Sequence, residues 1–267
     1  MTSTAEVETN LDIARRLLEQ ARERGAVLAA LPENFPIMGR REHEKLAVAE
    51  AYGDGPIQSF LAQMARELGL WIVAGTIPIR SERVPEKVAA AQLVIDAQGN
   101  TVARYDKIHL FDVDIPNRKE RYRESATIVP GEQPVVVDTP IGRLGLAVCY
   151  DVRFPELFRS LQAQGAQAFT LPAAFTVPTG TAHWEVLLRA RAIENLCYVL
   201  APAQWGRHAN GRDTYGDSMI VSPWGEVLDR KREGEGLAIA EIDLSVQAEL
   251  RESFPCLSHR RLPLVQP

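Results

Sequence analysis

Segments with the apolar repeat of a helix run, several times along this chain, directly into short apolar segments with the repeat of a strand. Leu11, Ala14, Leu17, Leu18 and Ala21 recur at helical spacing, Gly25 stops them, and the strand-like "AVLAALPE" follows at once. From Pro56, "PIQSFLAQMARELG" repeats the pattern and feeds "LWIVAGTIPI", which reads as one buried strand. A third unit runs from "PELFRSLQAQG" to "QAFTLPAAF", and a fourth, "HWEVLLRARAIENLCYVLAPAQ", adds another helix and strand. Hairpins lie between them. "VAAAQLVIDAQGNTVARYDKIHLF" is a pair of strands about a Gln-Gly-Asn turn, and "PVVVDTPIGRLGLAVCYD" is another pair. "DSMIVSPWGEVLDRK" and "GLAIAEID" read as strands around a Pro-Trp-Gly turn. A chain that mixes these units buries its apolar faces best as an α/β layered domain, sheets in the middle and helices outside.

Composition narrows the partners. The chain has 267 residues, 46% hydrophobic and 24% charged, with no low-complexity linker or internal repeat, so residues 1–267 are expected to form a single domain. A net charge of -5 without a basic block argues against nucleic acid and against an anionic membrane surface, leaving a small molecule as the expected partner. Cys149, Cys197 and Cys256 lie far apart without metal-ligand spacing, which fits a reducing, cytoplasmic setting. The N-terminus has acidic residues and helical periodicity where a signal peptide needs a basic and then apolar start.

An ionisable or nucleophilic side chain stands where an apolar strand ends at Glu33 in "LAALPENF", Lys107 in "RYDKIHLFD" and Cys149 in "LAVCYD". Strand ends are where α/β sheets bind ligands. A carboxylate can take a thiol proton, a thiolate can attack a carbonyl, and an ammonium can stabilise the thiolate and the oxyanion that follows. Each residue taken alone has a plainer explanation: a small packed residue for Cys149, solvated strand ends for Glu33 and Lys107. A papain-like pair would draw on His109 or His183, and a metal site on His109, Asp112 and Asp114, neither in a recognisable context. Cys197 reads as core. Glu185 with Arg189 and Arg191 with Glu194 are spaced for ion pairs on one helix.

"LPENF", "YDKIHLFDVDIP" and "CYDVRFPEL" together resemble the Glu-Lys-Cys triad of the nitrilase, or carbon-nitrogen hydrolase, superfamily, over nearly the whole chain. Within it, "TGTAHWEVLLRARAIENLCYV" and "DSMIVSPWGEVL" resemble the amidases of short dicarboxylate monoamides. "AQWGRH" followed by "DTYGDSM" is most similar to the deaminated glutathione amidases, with ω-amidases acting on α-ketoglutaramate and a catalytically idle scaffold as the alternatives. The resemblance implies a four-layer α-β-β-α sandwich, a homodimer or larger assembly, and no cofactor or metal. It implies Cys149 as nucleophile, Glu33 as general base, Lys107 with the backbone N–H of Tyr150 on the oxyanion, and Glu124 in "YRES" as a second glutamate. Arg153, Phe175 and Thr179 are implied to face the substrate, and a planar guanidinium at Arg153 suits a carboxylate. Family members carry a short apolar strand ahead of the segment matching Met1–Leu11. The residues given do not include that first strand: either the start is internal to a longer protein or this chain tolerates the loss, and a missing strand predicts a sheet with an unpaired edge, less stable and more prone to aggregate.

Overall fold

In the computed structural model, which describes residues 1–114 and 121–262, the first element is α1 (Val7–Glu23), whose buried stripe includes Ala14, Leu17, Leu18 and Ala21. It leads into β1 (Leu28–Ala30). After the single turn α2 (Glu44–Ala47) comes α3 (Pro56–Leu68), with proline at its start and Gly69 in the left-handed conformation at its end. The expected long strand "LWIVAGTIPI" is broken into β2 (Trp71–Val73) and β3 (Ile77–Arg80). Gly75 makes the break. Its φ is +50°, and a Cβ there would lie 2.0 Å from the Pro32 carbonyl oxygen, so only glycine lets this corner press on the loop that carries Glu33.

The hairpin of β4 (Val88–Ile95) and β5 (Thr101–Asp106) completes the first sheet. β1 pairs parallel with β2; β2 and β3 lie end to end along β4, and β5 pairs with β4. A small hairpin, β6 (Asp112–Asp114) and β7 (Arg121–Arg123), follows. Ile115 and Pro116, which end the "YDKIHLFDVDIP" motif, lie outside the described residues. The second sheet takes β8 (Val136–Thr139), β9 (Gly142–Leu146), then α4 (Pro155–Ala163), β10 (Ala168–Thr170), α5 (Val177–Asn195) and β11 (Tyr198–Ala201). The ribbon β12 (Trp205–Arg207) and β13 (Asp213–Tyr215) precedes β14 (Ser218–Val221), β15 (Val227–Lys231) and α6 (Leu244–Ser253). The order across this sheet is β15-β14-β11-β10-β9-β8, with β9, β10 and β11 parallel. α5 begins upstream of the expected "HWEVLL" because the Thr176 side chain caps it at Thr179.

The two sheets pack face to face. Val73, Val94 and Tyr105 of the first share a core with Leu144, Leu146, Phe169 and Val199 of the second, and with Phe158 of α4 and Trp184 and Leu188 of α5. On the opposite face of the first sheet, Leu17, Leu18, Leu61 and Met64 of α1 and α3 cover Ile72, Ile77 and Leu93. The layers are therefore α-β-β-α, as expected. All eight residues of β4 are buried, as a strand covered on both faces should be.

The segment expected as a strand at "GLAIAEID" forms no ladder. Leu237–Ile242 line a groove of about 680 Å³ with Leu28–Ala30 of β1, Leu17 and Ala21 of α1, Ile141 in the turn between β8 and β9, and Met219 of β14. Among the described residues no strand pairs with the outer edge of β1. The unpaired edge expected at β1 is thus a slot between β1 and 237–242 among the described residues. Met1 lines the same slot, and burial holds its ammonium below the usual pKa of an α-amino group.

Candidate active site

Glu33, Lys107 and Cys149 each stand just past a strand end, and the backbone explains how each is held there. Glu33 follows β1 on a loop pinned from two sides: Asn34 N–H donates to Thr76 Oγ1 at 2.8 Å, and Gln204 Nε2 donates to the Glu33 carbonyl at 3.1 Å. Lys107 follows β5, its N–H bound to Ala90 O at 3.1 Å. Cys149 stands two residues past Val148's neighbour Ala147, at the first position of a 3-10 turn, Cys149–Arg153, with φ +46°. A non-glycine residue in that conformation is strained and needs its surroundings to hold it. Its N–H donates to Pro172 O at 2.9 Å.

These loops bring four side chains together. Lys107 Nζ donates to Glu33 Oε1 at 2.8 Å and to both oxygens of Glu124 at 2.9 and 2.8 Å. Glu124 Oε2 also accepts the Phe111 N–H at 2.7 Å. Glu33 is 3% exposed, Lys107 1% and Cys149 7%. Burial by itself disfavours the ammonium, but the carboxylates of Glu124 and Glu33 outweigh it and hold the Lys107 pKa well above its usual value. Glu124 is held below the usual carboxylate range: burial works against its charge, and Lys107 more than compensates.

Cys149 departs from expectation. The sequence predicts a thiolate of lowered pKa beside an ammonium, whereas burial and the neighbouring Glu33 charge push the thiol well up, against the pull of Lys107 and of the Ala174 N–H. The resting group is a neutral thiol beside a carboxylate. Such a pair generates its nucleophile by proton transfer at the moment of attack.

Glu33, Lys107, Glu124, Cys149, Tyr150, Arg153, Phe175 and Thr179 all line one cavity of about 540 Å³. Tyr150 packs edge-on against Phe111 and Phe154, and the Arg153 guanidinium lies 5.5 Å from the centre of the Phe175 ring. The alternatives separate cleanly from this cluster. His109 is engaged with Asp151 at 2.7 Å and His183 with Arg153 at 3.2 Å. Asp112 accepts the Ser125 N–H and Asp114 pairs with Arg123, and among the described residues no group of His, Cys, Asp and Glu could hold a metal ion. Cys197 is core, as expected, its thiol pushed up to about 12 by burial. Both ion pairs expected on α5 form, Glu185–Arg189 at 3.7 Å and Arg191–Glu194 at 2.6 Å.

Some of the lining was not foreseen. The wall also carries Arg41, Lys45, Arg123 and Arg212, contributed by separate segments with no local pattern to mark them. The Ala174 N–H that faces the thiol is a backbone group and leaves no side-chain signal.

The family profile described as "Carbon-nitrogen hydrolase" matches residues 1–252. The chain belongs to that family. A protein of Yersinia enterocolitica named "Deaminated glutathione amidase" is 46% identical over 241 residues, 89% of this chain and 82% of that one. The crystal structure of the Caenorhabditis elegans NitFhit protein superposes with a TM-score of 0.92 at 43% identity, covering 99% of this chain and 65% of that one, so this hydrolase chain spans less than two thirds of NitFhit. A Glu-to-Gln mutant of the amidase from Nesterenkonia sp. AN1, 29% identical with a TM-score of 0.77 over 97% of this chain and 96% of that one, shows the result of Michael addition of acrylamide at its active site cysteine. Among the described residues of this chain, no helix is long and apolar enough to cross a membrane.

Proposed function

We propose that this carbon-nitrogen hydrolase is an amidase that cleaves deaminated glutathione through a thioester on Cys149. The observation that carries the reading is the convergence of Cys149, Glu33, Lys107 and Glu124 on one cavity. Glu33 takes the thiol proton as Cys149 Sγ attacks the amide carbon. Lys107 and the Tyr150 N–H stabilise the oxyanion that forms. When the C–N bond breaks, Glu33 returns the proton to the leaving amine, which for this substrate is cysteinylglycine. A water then attacks the thioester, Glu33 accepts its proton and passes it to the departing sulfur, and 2-oxoglutarate is released. Glu124 keeps Lys107 charged and fixed between two carboxylates.

Substrate choice rests on charge. Deaminated glutathione carries a carboxylate at each end, and the cavity wall offers Arg41, Lys45, Arg153 and Arg212 among its cations. The names of the related proteins point the same way. The reaction repairs a damaged metabolite, and a homodimer or larger assembly in the cytoplasm belongs to the same reading.

Rapid quenching followed by peptide mass mapping tests the intermediate. During turnover the Cys149 peptide should carry the oxoglutaryl group as a thioester. Turnover with that group on no cysteine, or on Cys197 or Cys256, contradicts the mechanism.

A further inference from the structure

Outside the cavity, two residues beyond Cys149, lies a carboxylate that the mechanism above does not use. Asp151 is fully buried. Its Oδ1 accepts the His109 backbone N–H at 3.1 Å and faces His109 Nδ1 at 2.7 Å; its Oδ2 accepts the Tyr105 hydroxyl at 2.7 Å and the Val148 N–H at 2.8 Å. A carboxylate can only accept, so His109 carries its proton on Nδ1.

The sequence positions of these four donors give the arrangement its meaning. Tyr105 and His109 stand two residues before and two after Lys107, and Val148 immediately precedes Cys149. One carboxylate therefore fastens the segment bearing the ammonium to the turn bearing the thiol. A second contact follows the same line: the His109 ring stacks on Phe154 at 3.7 Å and 6°, and the Phe154 N–H closes the turn on Asp151 O at 3.0 Å. The Val148 hydrogen bond also braces the backbone just ahead of the positive φ at Cys149.

We propose that Asp151 is a positioning residue which, through Tyr105, His109 and Val148, sets the placement of Lys107 against Cys149 for the reaction. It lies outside the cavity lining and touches no reacting atom, so it acts only through these neighbours. Charge-assisted hydrogen bonds suit the task, because each is stronger and more directional than its neutral counterpart. Burial and the Asp151 charge hold the Tyr105 hydroxyl well above its usual pKa, which keeps it a donor.

This inference rests on the reading of Cys149 and Lys107 as the reacting pair. Asp151→Asn replaces one acceptor oxygen with an amino group that faces a donor, so at least one of the four bonds is lost and the two segments can shift. Misplacement of reacting groups by about 1 Å costs roughly 100-fold in rate, and we expect a fall of that order in kcat with KM changed by less than about threefold. His109 has a partly exposed side chain, so its variants test the same link if Asp151→Asn does not fold. His109→Leu removes the Nδ1 donor and should lower kcat roughly tenfold or more, whereas the amide of His109→Asn supplies a donor in its place and should recover most of that loss. Asp151→Asn with unaltered kcat, or His109→Leu and His109→Asn with equal rates, overturns the inference. Cys149→Ala serves as the separate control: if it stays active, the reading of the reacting pair fails, whatever the Asp151 and His109 variants do.

Discussion

The ammonium of Lys107 lies 2.8 Å from the carboxylate of Glu33, with both side chains almost wholly removed from water and Glu124 closing the other side of the ammonium. A charge held between two carboxylates in a buried site cannot move or be rehydrated cheaply, and in the proposed mechanism it meets the negative charge that develops on an attacked carbonyl. Lys107→Ala should therefore lower kcat by at least about 100-fold, the effect of losing roughly 3 kcal/mol of oxyanion stabilisation. It should also lower stability, because it leaves two buried carboxylates facing each other. Steady-state kinetics decide the matter: a change in KM with kcat intact would refute the role given to this residue.

The raised pKa of Cys149 has two named causes that mutation separates. In Glu33→Gln the carboxylate charge that pushes the thiol up is gone, while Lys107 still pulls it down, so the midpoint of Cys149 alkylation by iodoacetamide should move to lower pH. Lys107→Ala should move it the other way. Alkylation rates read at the Cys149 peptide across pH give both midpoints, and a rise in Glu33→Gln would contradict the account of the site's electrostatics. Cys197, buried in the core, should stay unlabelled in the same experiment until the protein unfolds.

The slot beside β1 sets a stability expectation. An alternating apolar hexapeptide joined ahead of Met1, which lines the slot, is expected to pair with the edge of β1 that no described strand covers. Each buried aliphatic side chain contributes about 1.5–3 kcal/mol. At about 2–4 °C per kcal/mol for a protein of this size, the melting temperature should rise by several degrees. A serine- and glycine-rich extension of equal length should not raise it. Equal melting temperatures for the two extensions would show that the slot does not take a strand.

Much of this architecture is legible in the residues because its helices and hairpins are locally specified. α1 and α3 announce themselves by apolar spacing and terminal glycines, and the β4–β5 hairpin by its turn. What escaped reading depends on distant partners. "LWIVAGTIPI" looks continuous until Gly75 meets the Pro32 carbonyl, and "GLAIAEID" has a strand's composition but no described neighbour to pair with. The site divides in the same way. Glu33, Lys107 and Cys149 are marked by polar residues ending apolar runs, and the three do converge. The direction of the Cys149 shift was not readable, because it depends on how deeply the thiol is buried and how close Glu33 comes. Asp151 could have been found from the spacing of Tyr105, Lys107 and His109, but its four bonds span segments more than forty residues apart in part and only the fold joins them.

The central claim is that Cys149 is the nucleophile of an amidase whose preferred substrate is deaminated glutathione. The most direct test is hydrolysis of deaminated glutathione and of α-ketoglutaramate in parallel by the wild type and by Cys149→Ala. The account predicts that wild type cleaves the first far faster, and that Cys149→Ala loses about a thousandfold or more on both. Near-wild-type turnover by Cys149→Ala, or a wild type that prefers α-ketoglutaramate or cleaves neither amide, would contradict it.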